Sequence, residues 1–353
     1  MKINFVLPFY TKVPGGGTKI MYEYANRLAL LGNDIVIYHL VDAPYFHYSL
    51  PKLFRKIINL VIYQNKPIVD WFKFHDTVKL KFADNLNDES IRDADATITT
   101  WWSLAEPLQK LNKSKGKKIN LIQDYEVWEG NEELVLKSYS IHNVQKIGIS
   151  PFIIEKVKLV DRQIFYIPNS INEKHFNSFT EFYKRKKESF LMLYSNEQRK
   201  ASDIGIKAFV VLKKKFPNIN LTLFGTYQKP KNLPDWINYK QNPDNLPELY
   251  NQNRYFVTNS ISEGWGLPSH EAMACGNLLI CTAIEGHKQF YDNFDGVLTY
   301  KAGSVDSLVE VAEKLLSIPE NIQMELSEKN EKINQIYSWD NAVQKLISII
   351  ENE

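Results

Sequence analysis

Short apolar runs alternate with amphipathic stretches along almost the whole chain. Ile3–Leu7 reads as a strand, Pro8–Gly17 as a glycine-rich loop, and Ile20, Tyr24, Leu28 and Leu31 recur at helical spacing. Thr18 is the expected N-cap of that helix, Gly32 its terminator, and Ile35–Leu40 the next strand. Ala96–Thr100, Ile119–Gln123 and Ile147–Ser150 continue the series, the last being its expected final strand. A second series follows: strand Phe190–Tyr194, helix Asp203–Phe216, strand Leu221–Phe224 closed by Gly225, and short helix Leu246–Asn251. It continues with strands Tyr255–Thr258 and Leu278–Cys281 and a helix over Val305–Ser317.

Strands that alternate with helices imply parallel sheets covered on both faces, so the expected class is α/β with two Rossmann-like, doubly wound domains. The expected bounds are residues 1–160, residues 161–335, and a closing helix over 336–353 that packs back on the first domain. The amphipathic stretch Glu320–Ile336 is expected to reach the first domain as well. Ligands in open parallel sheets sit beyond the carboxyl ends of the strands, at a topological switch point. An interdomain cleft is therefore the expected site, with Gly15–Gly17 on one side and Glu263 and Gly264 on the other.

The length of 353 residues allows two domains, and 44% hydrophobic with 24% charged residues is an ordinary globular balance. A formal net charge of +2 gives no field that would drive nucleic-acid binding. Cys275 and Cys281 lie on apolar elements without metal spacing, which points to a reducing compartment and a cytoplasmic protein. Met1–Pro8 does not read as the apolar core of a signal peptide, and no apolar run reaches the ~18 residues of a membrane span.

The chemistry concentrates in Glu263-Gly-Trp-Gly-Leu-Pro-Ser-His-Glu271-Ala-Met-Ala-Cys-Gly276. Pro268 stands where a first helical residue belongs and Gly276 where a helix ends, which puts Glu271 in the first turn. An open helix N-terminus carries about half a positive charge and attracts phosphate. Gly264 and Gly266 would let the backbone approach such a ligand. Arg199 and Lys200 precede another helix start, an unfavourable place for two cations unless an anion sits between them; a diphosphate would fit.

Other signals are weaker. Gly15-Gly16-Gly17 lacks the third glycine of a dinucleotide fingerprint, yet Asp42 follows the second strand, so a nicotinamide-dependent or sugar-nucleotide-modifying enzyme stays open. Asp93-Ala-Asp95 mimics a metal-binding pair but precedes its strand, at the wrong end of the sheet. His270-Glu271 lacks the second histidine of a zinc site. The basic clusters Lys115–Lys118 and Lys184–Lys187 read as solvated turns or as contacts with anionic lipid. Leu53–Phe74, apolar and basic by turns, reads as an interfacial acceptor-binding region or as a covering helix pair.

These motifs resemble the family 4 glycosyltransferases of GT-B fold. Glu263 and Glu271 match that family's E-x7-E pair, and Glu271-Ala-Met-Ala-Cys-Gly276 matches the segment that follows it. Ile167-Pro-Asn-Ser-Ile-Asn172 with Phe176, Lys200 with Ala208-Phe209, the Gly15–Gly17 loop and Tyr337-Ser-Trp339 resemble further family motifs. Ile122-Gln-Asp-Tyr-Glu-Val-Trp128 resembles a subgroup with bacterial surface-polysaccharide rhamnosyltransferases. The chain departs from the family at Asp124, where many relatives carry His, at Ala201, usually Gly, and at Ser195, usually Arg. Those departures keep a non-catalytic carbohydrate-binding partner open.

The resemblance implies transfer of a sugar from a UDP, GDP or dTDP donor to a glycan or lipid-linked acceptor, with retention and without a metal or other cofactor. It places Glu263, Arg199, Lys200 and Asp124 at the reacting end of the donor. Gly16, Gly17, Gly264, Trp265, Gly266, Leu267 and Glu271 would hold the donor, Glu271 through the ribose hydroxyls. It implies a cytoplasmic protein, with peripheral contact to an anionic membrane as an extension.

Overall fold

The computed structural model describes residues 1–64, 66–127 and 130–352. The chain divides into two units, Met1–Asn169 with the segment from Asp340 onward, and Ser170–Trp339. The strands of the first unit are β1 (Lys2–Leu7), β2 (Asp34–Leu40), β3 (Lys79–Ala83), β4 (Ala96–Thr99), β5 (Lys117–Ile122), β6 (Gln145–Gly148) and β7 (Ile164–Tyr166). They form one parallel sheet in the order β3-β2-β1-β4-β5-β6-β7. The second unit has β8 (Ser189–Leu193), β9 (Asn220–Gly225), β10 (Asn238–Gln241), β11 (Tyr255–Val257), β12 (Leu278–Thr282) and β13 (Val297–Tyr300). Their order is β10-β9-β8-β11-β12-β13, again all parallel.

The central strands read as largely apolar runs because helices cover both of their faces. Phe5 and Val6, Ile35 and Ile37, Phe190 and Met192, and Leu278 and Ile280 are all fully buried or nearly so. Strand order reverses between β1 and β4 in the first unit and between β8 and β11 in the second. Loops leaving the carboxyl ends of these strands diverge there and leave room for a ligand.

The sheet of the first unit takes two strands more than the sequence predicts, β3 and β7. β7 pairs with β6, yet Phe165 and Tyr166 are exposed, so no buried apolar run announces it. The unit consequently runs on to Asn169. The helix Glu320–Glu331 belongs wholly to the second unit. Tyr255 donates to Gln323 Oε1 at 2.6 Å, Ser327 to the Gly276 carbonyl at 2.6 Å and Asn330 to the Asn277 carbonyl at 2.9 Å. The last helix, Trp339–Glu351, is held by the first unit from Asp340 on, where Lys117 Nζ donates to the Ile349 carbonyl at 2.9 Å. Among the described residues no helix is long and apolar enough to cross a membrane.

Candidate active site

In the second unit, the chain leaves β8 through Ser195 and enters a single 3₁₀ turn, Gln198–Lys200, before the helix Ser202–Lys215. Ala201 joins them at φ 43°, ψ 41°, a left-handed conformation that costs a residue with a Cβ roughly 1–2 kcal/mol. Glycine would sit there without that cost. The Ser195 backbone N–H donates to Ser202 Oγ at 3.0 Å and closes the turn.

The turn delivers Arg199 and Lys200 to Glu263, on the loop after β11. Lys200 Nζ lies 2.5 Å from Glu263 Oε1, and Arg199 Nη1 lies 3.8 Å from Oε2. Ser260 Oγ donates to the same Oε1 at 2.7 Å. The anion between the two cations is thus the protein's own carboxylate, which offsets their opposition to the helix dipole. Burial works against the Glu263 charge, but Lys200, the largest of the opposing influences, outweighs it and holds the carboxyl at about 2.

A carboxyl lowered in the folded state contributes stability above its unfolded value near ~4.5 and loses it as pH falls towards the folded value. At neutral pH the contribution is about 3 kcal/mol. Urea denaturation is expected to show Glu263→Gln less stable than wild type at pH 6. The gap should narrow steadily between pH 5 and pH 3; a gap independent of pH would show that Glu263 is not the buried anion.

Glu263 is followed by two buried glycines, Gly264 and Gly266, around Trp265. Gly266 caps the helix Leu267–Ala274 at φ 88°. The helix begins at Leu267 and Pro268 is its second residue, so Glu271 falls one turn in, not in the first turn as predicted. The left-handed cap starts the helix one residue before proline. Glu271 is buried and accepts a 3.2 Å hydrogen bond from Tyr250, whose hydroxyl burial and the nearby carboxylate keep firmly protonated.

The Trp265 side chain serves packing. Its ring meets Tyr337 and Phe290 edge-on, and its Nε1 donates to His270 Nδ1 at 3.3 Å. His270 in turn reaches Asn334 at 3.1 Å, and burial keeps its imidazole neutral, at about 3. A donor would therefore meet the backbone of this segment rather than the indole.

Four residues of this cluster have no signature in sequence. Tyr250 and Ser260 are polar tips on otherwise ordinary elements. Gly286 is required by contact, since a Cβ there would lie 1.8 Å from the Glu263 carbonyl oxygen. His287 is fully buried, with Nδ1 3.1 Å from the Thr282 carbonyl. A carbonyl only accepts, so Nδ1 carries the proton and Nε2 presents a lone pair without a partner among the described residues. That Nε2 lies 3.4 Å from where a Cβ on Gly266 would stand.

In the first unit, Gly15 caps the helix Gly16–Leu30, so Gly16 and Gly17 form its first turn and Thr18 is not the cap. Glycine is itself an acceptable N-cap. Gln123 Nε2 donates to the Gly17 carbonyl at 3.0 Å and contacts Thr100 Oγ1 at 3.1 Å, tying together the loops after β1, β4 and β5. Asp124 follows at the end of β5 and accepts the Tyr125 N–H at 2.8 Å. Beside it, Glu126 is buried, accepts the Trp102 N–H at 2.9 Å, and is pushed up to about 8 by burial and, secondarily, by Asp124. Trp128 of the same motif lies outside the described residues.

The structure thus gathers Arg199, Lys200, Glu263, Gly264, Gly266, Leu267 and Glu271 at one edge of the second unit. Gly16, Gly17 and Asp124 lie at the carboxyl edge of the first. Asp42, the acid a nicotinamide dinucleotide would need, is held by Lys52 at 2.8 Å and Arg55 at 2.9 Å. Asp93 and Asp95 are likewise engaged, with Lys115 at 2.9 Å and the Lys2 N–H at 2.6 Å. Among the described residues no three His, Cys, Asp or Glu side chains are grouped to hold a metal ion.

Residues 173–333 match the family described as Glycosyl transferases group 1. An uncharacterized glycosyltransferase from Haemophilus influenzae is 22% identical over 161 residues, 43% of this chain and 45% of that protein. The chain thus spans under half the length of that relative. HepE from Anabaena, solved in complex with UDP and glucose, is similar with a TM-score of 0.74 at 11% identity, over 99% of each chain. Sucrose-phosphate synthase from Thermosynechococcus elongatus gives 0.72 at 15% identity, over 99% of this chain and 98% of that one. The fold is two Rossmann-like units of GT-B type, and with the family match it supports a glycosyltransferase.

Proposed function

We propose that this chain is a retaining, family 4 glycosyltransferase that moves a hexosyl unit from a nucleotide sugar to a glycan or lipid-linked glycan in surface-polysaccharide synthesis. It works in the cytoplasm and needs no metal ion. The observation that carries this is the Lys200–Glu263–Arg199 cluster beside the helix Leu267–Ala274, with Glu271 one turn inside it. Transfer breaks the bond from the anomeric carbon to the diphosphate oxygen, whose electron pair leaves with the diphosphate. The acceptor oxygen takes its place on the same face, and its proton passes to the departing phosphate.

That exchange develops positive charge on the ring and negative charge on the diphosphate. Fixed cations and N–H donors aimed at the second are the main source of rate. Lys200 and Arg199 supply cations, and the backbone N–H groups of Gly266 and Leu267 supply donors at the helix start. Glu271 grips the ribose hydroxyls, and Glu263, held ionised, orients Lys200 and faces the sugar. His287 Nε2 would accept from a sugar hydroxyl. Asp124 and the Gly16–Gly17 turn serve the acceptor and the diphosphate from the first unit.

A thermal-shift panel of UDP-, GDP- and dTDP-sugars tests the reading. One base class is expected to stabilise the protein, by ~2.7 kcal/mol at a hundred times its dissociation constant. Binding of NAD with none of these nucleotides would refute it.

A further inference from the structure

Two aromatic residues of the first unit hold backbone conformations that bulky side chains rarely adopt. Tyr45, on the loop after β2, has φ 61°, and Trp101, on the loop after β4, has φ 80° and ψ 130°. Glycine would sit at either place without strain, so the fold alone gives no reason for a large ring there. The conformation at Trp101 is fastened on both sides. The next N–H, that of Trp102, donates to Oε2 of the buried Glu126 at 2.9 Å, and the Trp101 carbonyl accepts from the Leu104 N–H at 3.2 Å. Such strain collects where a side chain has a task beyond folding.

Strands β2, β1 and β4 are neighbours in the sheet, so their loops leave its carboxyl edge side by side. Phe9 after β1 and Phe46 after β2 pack with ring centres 4.8 Å apart, and the Trp101 ring meets them at steep angles, at 6.0 and 6.4 Å. Tyr45 packs on Trp102 with centres 5.0 Å apart and planes 37° from parallel. Trp102 is buried, Phe9, Phe46 and Trp101 are half-buried, and Tyr45 is 61% exposed. The aromatic cluster thus reaches the surface beside Thr100, which Gln123 ties to the Gly17 carbonyl.

We infer that this cluster is a platform for the sugar ring at the growing end of the acceptor, so that the enzyme extends a glycan instead of starting one on a lipid phosphate. The inference rests on the glycosyltransferase reading above and names its acceptor class. A pyranose carries C–H groups on its faces and hydroxyls around its rim. The C–H groups pack on the electron-rich faces of aromatic rings, and the hydroxyls stay free to meet polar groups at the edge. The exposed His47 on the β2 loop and Asp124 at the end of β5 offer such groups. A phosphate at this place would call for cations, and residues 43–50 and 100–106 contain no Lys or Arg. An earlier transfer must then place the first sugar on the carrier.

Saturation-transfer NMR tests this with the methyl pyranosides of glucose, galactose, N-acetylglucosamine and rhamnose, beside a short-chain polyprenyl phosphate. Wild type is expected to saturate the ring C–H protons of at least one pyranoside. Tyr45→Gly and Trp101→Gly should each raise the dissociation constant of that pyranoside by ~10-fold, the contribution of about one aromatic contact. Glycine takes both φ values freely, so the variants should keep the circular dichroism of wild type and its thermal shift with the donor nucleotide. Should Trp101→Gly fold poorly, Tyr45→Gly decides alone, because its ring is mostly exposed. No pyranoside bound by wild type, unchanged affinity in the variants, or polyprenyl phosphate binding that the variants abolish would overturn the inference. With a donor-nucleotide shift still present, those results would leave the transferase reading standing. Absence of any donor shift in wild type would refute that reading, and the acceptor role with it.

Discussion

Lys200→Ala is expected to lower the rate of sugar transfer by about 100- to 1000-fold at saturating donor, the loss typical of one preorganised charge-stabilising group. Lys200 stands at the start of the helix Ser202–Lys215, its ammonium 2.5 Å from Glu263 and its side chain only 14% exposed. A cation so desolvated and so fixed needs little reorganisation when charge builds on the leaving diphosphate. Arg199 does not replace it. Its guanidinium is 3.8 Å from Glu263, is also held by Glu197 at 2.8 Å, and is 30% exposed. Arg199→Ala should accordingly cost much less rate than Lys200→Ala.

The same substitution also strips Glu263 of its nearest counter-charge, and a buried carboxylate left alone costs about 3–5 kcal/mol. Activity must therefore be compared on protein shown to be folded, by circular dichroism and by its thermal shift with the donor nucleotide. A turnover within threefold of wild type, in folded Lys200→Ala, would remove the lysine from the leaving-group role.

Much of this was legible because backbone punctuation is local. Gly264, Gly266, Pro268 and Gly276 mark a turn, a helix start and a helix end without reference to any other part of the chain. Apolar runs such as Ile3–Leu7, interrupted only by Asn4, and Leu278–Cys281 likewise announce strands buried on both faces. What stayed hidden depends on partners far away in sequence. Lys200 and Glu263 are 63 residues apart, and only the reversal of strand order between β8 and β11 makes them neighbours. β7 was missed because its side chains are exposed, and the start of the helix at Leu267 because a left-handed glycine, not the proline, sets it. Leu53–Phe74 reads in sequence as apolar and basic by turns, but sequence cannot tell which face of the helix Lys52–Val61 looks outward; the pairs of Lys52 and Arg55 with Asp42 and of Lys56 with Asp84 decide that.

Glu271→Gln is expected to weaken donor-nucleotide binding about 100-fold or more, with transfer falling in step, while the fold is kept. The isosteric amide still accepts from the Tyr250 hydroxyl, so the 3.2 Å bond that orients the side chain survives. What changes is charge and polarity. A carboxylate accepts from vicinal ribose hydroxyls through charge-assisted bonds, each worth about 1.5–3 kcal/mol. The amide presents one neutral acceptor and one N–H₂ group that meets a hydroxyl donor with a donor. Loss of both bonds therefore accounts for at least two decades in affinity, at ~1.4 kcal/mol for each. Because the ribose is remote from the breaking bond, the loss should appear first in the dissociation constant of the nucleoside diphosphate, measured by calorimetry. A 2′-deoxynucleotide should bind wild type more weakly than its ribose parent and should bind Glu271→Gln with little further loss. Undiminished binding of the ribose nucleotide by the variant would show that Glu271 holds some other group.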